Sequence, residues 1–385
     1  MSTRAVALLI EMSSGYCRGL LEGIHAFAKL RGDWSIYLNE QERGAAPPPW
    51  LSEWRGDGII ARIETDQIGE TLQRLKIPIV DLSAARRVKD IPWADTDDEA
   101  IAKLAIDHFL DRGFSNVGFC GDAGFAWSNS RRNFFRSLAL DSGCEYFEHQ
   151  VAHRYDPLFQ WDKVRMALSQ WIRSLPTPTA IMTCNDYLGK HLLDLCRSLQ
   201  ISVPEEVAVL GVDDDRLLCS LCTPSLSSIA PNTFQTGLEA AELLQQMMEG
   251  ADDASSTRLV TQPLGVNMRE STDTMAIPDQ DVTKSLVFIR RNALRGIQVG
   301  DVLKVASISR RSLEHKFQKY VGHSPHEEIM RIKMARIKEL LTKTNDSIHT
   351  VAQRTGFAHP EYMTAAFKKA NGLTPTEFRE SVSHQ

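Results

Sequence analysis

The stretch from Gly356 to Arg379, GFAHPEYMTAAFKKANGLTPTEFR, constrains the fold of this chain more than any other. Gly356 permits a tight turn between two short helices, and Phe357 is expected to plug the core beneath that turn. Tyr362, Ala366 and Phe367 recur at helical spacing, so they are expected to line one apolar stripe of the next helix. Lys368 and Lys369 follow near its end, where cations suit both the helix dipole and a phosphate backbone. Gly372 closes that helix, and Thr374-Pro375 opens a last short one, because proline is at home in a first helical turn.

This run resembles the second helix-turn-helix of the AraC family of transcription regulators, whose signature is Gly-Phe, Phe-Lys-Lys, Gly-x-Thr-Pro and a final Phe/Tyr-Arg. A matching first unit lies upstream. Val299–Ala306 reads as a short helix, Ile308-Ser309 as the turn, and Ser309 as the N-cap of a helix over Arg310–Tyr320. Ser324-Pro325 then opens a long helix to about Lys343, with Ile329, Ile332, Ala335, Ile337, Leu340 and Leu341 as its expected buried stripe. A recognition helix offers its early, solvent-facing residues to base edges, with cations on the flanking phosphates. In the first unit those are Ser309, Arg310, Arg311, Glu314, His315 and Lys316; in the second, His359, Pro360, Glu361, Thr364 and Lys368. A solvated surface position is the competing reading for any one of them. Leu313, Phe317, Tyr362 and Phe367 are read as core. Charge agrees with a nucleic-acid module: from residue 281 on there are 18 Lys+Arg and 10 Asp+Glu, whereas the preceding residues hold 26 and 39.

The rest of the chain alternates short apolar runs with amphipathic helical stretches. Ala5–Ile10, Trp34–Leu38, Gly58–Ile63, Ile77–Leu82, Val117–Cys120, Ala180–Thr183 and Val207–Val212 read as strands. Helices are expected between them, for instance from a Thr96 or Asp97 cap to about Asp111, and over Tyr187–Leu199 and Phe234–Met248. Strands joined by crossover helices make parallel sheets covered on both faces, and the length suits two lobes. The order of Ala180–Asp186, Ile201–Asp214 and Thr223–Pro231 resembles the effector domain of the LacI/GalR regulators. That resemblance implies a two-lobe periplasmic-binding-protein type I fold around a ligand cleft, over roughly residues 4–272. The fold class is therefore an α/β two-lobe effector domain followed by an all-α double helix-turn-helix DNA-binding domain. The expected limits are 1–275 for the effector domain, 276–282 for a linker (the proline-bearing joint MAIPDQD spans Met275 to Asp281) and 283–385 for the DNA-binding domain. The chain begins at its first strand, so the C-terminal module is expected to do the DNA work.

Ligands in open α/β sheets are met by loops at the carboxyl ends of strands. Neutral polyols call for Asp, Asn and Arg, plus an aromatic face. Arg131 stands where the LacI/GalR resemblance implies an effector-binding arginine, in Arg-x-x-Gly-Phe, although Phe134 replaces the glycine. Asp213, in Gly-Val-Asp-Asp, stands where the resemblance implies a sugar-gripping aspartate, with a turn or cap as the competing role. Trp127, Asn185, Asp186, and Glu11 and Tyr16 from the first loop complete the expected effector-binding set.

No P-loop, dinucleotide fingerprint or nucleophile elbow is present, so an enzyme is not expected. Neither a cofactor nor a metal is expected: Cys219-x-x-Cys222 has no partner pair. Seven cysteines without a secretory signal read as reduced thiols in a cytoplasm, and no apolar run reaches membrane length. An effector domain of this kind joined to an AraC-type module resembles the xylose operon regulators of the XylR type. The resemblance implies a cytoplasmic activator working with RNA polymerase, a homodimer, double-stranded DNA as partner and a small sugar, D-xylose first, as effector. A non-sugar effector such as a nucleobase, or a repressor of the same build, is the alternative.

Overall fold

The computed structural model describes residues 3–383 apart from 40–44, 154–158, 251–256, 275 and 278. The chain separates into two compact units, Met1–Thr274 and Met275–Gln385.

The first unit holds two six-stranded sheets. Its strands are β1 (Arg4–Leu9), β2 (Trp34–Leu38), β3 (Gly58–Ala61), β4 (Ile79–Asp81), β5 (Trp93–Thr96), β6 (Asn116–Asp122), β7 (Glu145–Val151), β8 (Thr179–Thr183), β9 (Val207–Val212), β10 (Ser227–Ala230), β11 (Arg258–Thr261) and β12 (Gly265–Asn267). Its helices are α1 (Gly15–Arg31), α2 (Asp66–Gln73), α3 (Asp98–Leu110), α4 (Ala126–Asp141), α5 (Trp161–Ser174), α6 (Asp186–Ser198), α7 (Arg216–Leu221) and α8 (Thr233–Met248). The first sheet runs β11-β5-β4-β3-β1-β2, and the second β12-β10-β9-β8-β6-β7. All pairings are parallel except β10 with β12. Strands β8 and β9 are buried along their whole length, as central strands with both faces covered must be.

Three short crossings join the lobes: β5 to α3, β10 to α8 and β11 to β12. They are bonded to one another. The Asp97 amide donates to Thr261 O at 3.0 Å, Leu264 N to Ala230 O at 2.8 Å, and Gln262 Nε2 to Asp97 Oδ2 at 2.8 Å. Helix α8 therefore returns to the first lobe and packs on α1. A Cβ at Gly23 would stand 2.0 Å from Phe234 O, and one at Gly237 2.1 Å from Leu20 O. Glycine at both positions lets the two backbones meet. Ser14 caps α1, and Gly32, at φ +73, ends it.

The strands that sequence periodicity misses are β5, β7, β10, β11 and β12. Most are three or four residues long, and β7 is a half-exposed edge. β11 pairs with β5 across some 165 residues of chain. No local pattern records such a pairing.

The second unit is helical: α9 (Gln280–Asn292), a 3-10 turn over Ala293–Arg295, α10 (Val299–Ala306), α11 (Arg310–Tyr320), α12 (Pro325–Lys343), α13 (Ile348–Arg354), α14 (Pro360–Asn371) and α15 (Pro375–Ser383). Helix α9, capped by Asp279, begins inside the stretch expected to be linker. Pro278 of that stretch, and Met275 just before it, lie outside the described residues. Val282, Leu286, Ile289, Leu313, Phe317 and Ile329 form one core, and Ile337, Leu340, Leu341, Val351, Met363 and Phe367 a second, so α12 runs through both. Ser309 and Ser347 cap their helices, and Ser324 forms a reciprocal capping box with Glu327.

Two expectations about this core are corrected. Tyr362 is 70% exposed, and Met363 takes the buried position. Because α14 starts at Pro360, the inward pair four apart is Met363 and Phe367. On α12 Ala335 is exposed and Ile332 half-buried, while Met334 and the amphipathic Lys333 are buried instead. Gly356 sits at φ +69, and a Cβ there would stand 2.5 Å from Gly296 N and 2.6 Å from Leu294 O.

Candidate effector cleft and nucleic-acid interface

Charged residues collect where the carboxyl ends of the two sheets face each other. In the first lobe, Glu11 follows β1 and Arg62 follows β3, and both are buried. Arg62 Nη1 donates to Glu11 Oε1 and, at 3.1 Å, to Cys17 Sγ. Its Nη2 donates to Glu64 Oε1 at 2.6 Å. Its buried Nε–H has no partner among the described residues. The guanidinium lies 5.5 Å from the ring centre of Tyr16, which α1 carries in its first turn. The Tyr16 hydroxyl donates to Asp95 Oδ1 at 3.3 Å and lies 3.5 Å from Thr96 Oγ1. Burial, with Asp95 beside it, holds this phenol protonated well above its ordinary value. Asp95 also accepts from Arg86 Nη2 at 3.0 Å, and that guanidinium stacks 3.6 Å from the Trp93 ring centre.

The second lobe contributes Arg131 from α4, 3% exposed. Its Nε donates to Asp98 Oδ1 and its Nη1 to Cys184 O, each at 2.7 Å. Burial opposes its charge, but Asp98 and Asp213 outweigh that and hold it firmly protonated. Its partner Asp98 is pushed upward by burial and drawn back by Arg131. Trp127 lies 5.2 Å from the Arg131 guanidinium and stacks on Phe125, ring centres 5.0 Å apart and 22° between planes. Asp213 directly follows β9 at φ +114, a region costly for a residue with a Cβ, and its amide donates to Ile229 O at 3.0 Å.

The structure brings Glu11, Tyr16, Trp127, Arg131 and Asp213 to the facing strand ends, but Asn185 and Asp186 are corrected. The Asn185 side chain caps α6, accepting from Leu188 N at 2.9 Å. Asp186 is buried beneath the β9–α7 loop. It accepts from Ser228 Oγ at 2.5 Å, Asp215 N at 2.8 Å and Cys219 Sγ at 3.4 Å. Burial, then Asp213, raises its proton affinity well above the usual carboxylate range. A Cβ at Gly211 would stand 2.1 Å from its Oδ1, which explains the glycine there. Asp186 thus braces the loop that carries Asp213. Sequence reasoning missed Arg62, Asp95 and Asp98. Arg62 had a signal: a charge directly after the apolar run GIIA, at a strand's carboxyl end.

Chemically, the cleft alternates guanidinium donors with carboxylate acceptors, beside one aromatic face. Such a lining can surround an uncharged, polyhydroxylated molecule, since each hydroxyl both donates and accepts.

In the helical unit, Arg310, Arg311, Glu314 and His315 are exposed on α11. Arg310 Nε donates to Glu314 Oε1 at 2.9 Å along the helix surface. Exposed Ser309 is engaged as the cap, accepting from Ser312 N at 3.2 Å. Lys316 is corrected: its Nζ donates to Asp281 Oδ2 at 2.5 Å and lies 2.8 Å from Asp279 Oδ2, so it ties α11 to the start of α9. Those bonds raise it to about 12. On α14, His359, Glu361 and Lys368 are exposed, Pro360 and Thr364 half-buried, and exposed Tyr362 joins them. Behind the turn, Lys333 Nζ donates to Gly356 O at 2.9 Å and lies 4.5 Å from the half-buried Phe357 ring centre, and burial lowers its proton affinity.

Comparison with known proteins agrees with both halves. Residues 5–104 match the XylR N-terminal domain, 106–272 a periplasmic binding protein-like domain, and 302–381 a helix-turn-helix domain. The chain is 30% identical to the xylose operon regulatory protein of Escherichia coli K12, over 97% of this chain and 96% of that protein. The chain belongs to the xylose operon regulator family. The family's Haemophilus influenzae protein is likewise 30% identical, over 97% of each chain. A solved xylose-binding transcription activator, xylR, superposes with a TM-score of 0.82 at 28% identity, covering 99% of both chains. The family is one of sugar-sensing transcription regulators, not of enzymes, and its AraC-type helix-turn-helix binds DNA. Among the described residues no helix is long and apolar enough to cross a membrane.

Proposed function

We propose that this chain is a cytoplasmic activator that binds D-xylose between its lobes and changes its hold on operator DNA in response. The carrying observation is Arg131, buried and paired with Asp98 beside Asp213 in its own lobe, while Asp95 and the neutral Tyr16 phenol of the other lobe act on the same group of side chains, so that charged groups of both lobes meet at one place. Effector contacts are assigned to Glu11, Tyr16, Arg62, Asp95, Asp98, Trp127, Arg131 and Asp213. The names of the relatives supply xylose. The paired guanidinium and carboxylate groups supply the reason a neutral sugar suits the site.

DNA contacts are assigned to Arg310, Arg311, Glu314 and His315 on α11 and to His359, Glu361, Tyr362, Thr364 and Lys368 on α14, with Ser309 and Pro360 framing the helix starts. An arginine set bidentately on a guanine contributes about 1–3 kcal/mol of discrimination. The effector domain occupies residues 1–275 and the DNA-binding domain 283–385, with the joint between them partly helical. A homodimer presents paired modules to half-sites, and RNA polymerase is recruited beside it. Sugar binding shifts the lobes toward closure because the closed form binds it better.

A calorimetric titration of the full chain with D-xylose, other pentoses, hexose phosphates and nucleobases tests this reading. Saturable binding of D-xylose, weakened at least tenfold in Asp213→Asn and in Arg131→Lys, is expected. Binding of a nucleobase with none of xylose would replace the effector.

A further inference from the structure

Outside the charged floor of the cleft, the lobes also touch at its rim. Arg18, one turn into α1, belongs to the first lobe, and Asp215, just before α7, to the second. Arg18 Nη2 donates to Asp215 Oδ2 at 2.7 Å. Arg18 Nη1 donates to Met12 O at 3.2 Å and Ser13 O at 3.3 Å, so it also holds the loop that carries Glu11. Asp215 is equally fixed. Its amide donates to Asp186 Oδ2 at 2.8 Å, and its Oδ1 accepts from Leu218 N at 3.3 Å to cap α7. One ion pair therefore links the Glu11 loop of one lobe to the Asp213 loop of the other.

A second observation is independent of charge. A Cβ at Gly15 would stand 2.8 Å from Asp215 Cβ and 2.9 Å from its Oδ2. Gly15 is the first residue of α1, where alanine would favour the helix, and no positive φ requires glycine there. What glycine provides is room for the opposite lobe.

We propose that Arg18, Asp215 and Gly15 form a latch across the cleft mouth that holds the lobes together and so sets the sensitivity to effector. An exposed ion pair contributes little to folding. The same small energy acts differently when only one of two lobe arrangements contains the pair, because it then enters the closed–open equilibrium directly and is passed on to effector affinity. Gly15 matters by sterics: closure brings two surfaces to a distance that only a missing side chain allows.

The effector part of this inference rests on the cleft reading above, but the latch has a readout that needs no ligand. The seven native cysteines are buried, so cysteines placed at exposed Gln67 and Lys163 can be spin-labelled selectively in the full chain. These positions lie in the first turns of α2 and α5, which follow parallel strands and so sit toward the cleft end of each lobe. Without ligand, Arg18→Gln and Asp215→Asn should each move the distance distribution to longer values. The double variant should go no further than either single one, and Asn at 215 keeps the helix cap. Gly15→Ala should shift it the same way although Arg18 and Asp215 are both present. In calorimetry with D-xylose, Arg18→Gln should raise Kd about two- to fivefold, and Gly15→Ala about tenfold. Unchanged distances in all three variants overturn the latch whether or not xylose binds. Changed distances with no xylose binding by the parent chain keep the latch and overturn the effector. Additive effects of Arg18→Gln and Asp215→Asn on distance would also contradict the pairing.

Discussion

Asp213 is held at φ +114, where glycine would be at ease. Asp213→Gly should relieve that strain and stabilise the effector domain by about 1 kcal/mol, while the response to effector is lost. Denaturant unfolding beside a ligand titration reads both effects, and a variant that is destabilised yet binds normally would contradict the assignment. Gly356 is the opposite case. Alanine there must adopt φ +69 and bring a Cβ within 2.5 Å of Gly296 N, so Gly356→Ala should cost the helical unit on the order of 2–4 kcal/mol. A thermal scan showing an unshifted transition for that unit would refute this. Lys316 separates sequence reading from structure most clearly. Its place on a recognition helix suggests a phosphate contact, yet Asp279 and Asp281 claim its ammonium. Lys316→Met should leave the salt dependence of DNA binding unchanged, whereas Lys368→Met should lower the slope by about one. Equal slopes for the two variants would restore Lys316 to the interface.

Asp81 and His108, two of the buried titrating groups of the effector domain, respond to pH in opposite directions. At the end of β4, burial pushes the Asp81 carboxyl up to about 6, despite donors from Ser83 and Ile63 and nearby Arg86. The folded state then holds a proton that the unfolded chain releases near 3.8, so stability rises as pH falls through 6 toward 4. The gain is on the order of 3 kcal/mol. On α3, burial and then Arg112 lower His108 to about 4. Its Nε2 lies 2.9 Å from Thr272 Oγ1, which itself donates to Ser227 Oγ at 2.7 Å, so the neutral ring donates from Nε2. This contribution is present above 6.5 and is lost as pH falls toward 4. Relative to the parent, Asp81→Asn should therefore lose stability on acidification between pH 6 and 4, and His108→Gln should gain it. Urea midpoints across this range check both, and identical profiles would contradict them. Helices and central strands were legible in the sequence because each carries its own periodicity and caps. Tyr362 and Met363 show the limit: a one-residue choice of inward position depends on where Pro360 starts the helix. Asn185 and Asp186 show another, since a polar residue at a strand's carboxyl end can equally cap or brace.

For the whole molecule, two architectures with separate local signals were readable in one chain: strand–helix alternation before residue 275 and helix-turn-helix chemistry after it. The return of α8 to the first lobe and the pairing of β11 with β5 were not, because both depend on contacts far apart in sequence. The same holds for the cleft. Arg131 and Asp213 carried local motifs, whereas Arg62, Asp95 and Asp98 gain their roles only when the lobes face each other. The central claim is that sugar in this cleft governs DNA binding elsewhere in the chain. Its most direct test is the affinity of the full chain for its own upstream DNA at fixed salt, with and without D-xylose, in the parent and in Asp213→Asn. A shift of at least about fivefold in the parent, absent in the variant and matched by an equal shift in xylose affinity when DNA is bound, is the predicted result. DNA affinity indifferent to saturating D-xylose would contradict the account.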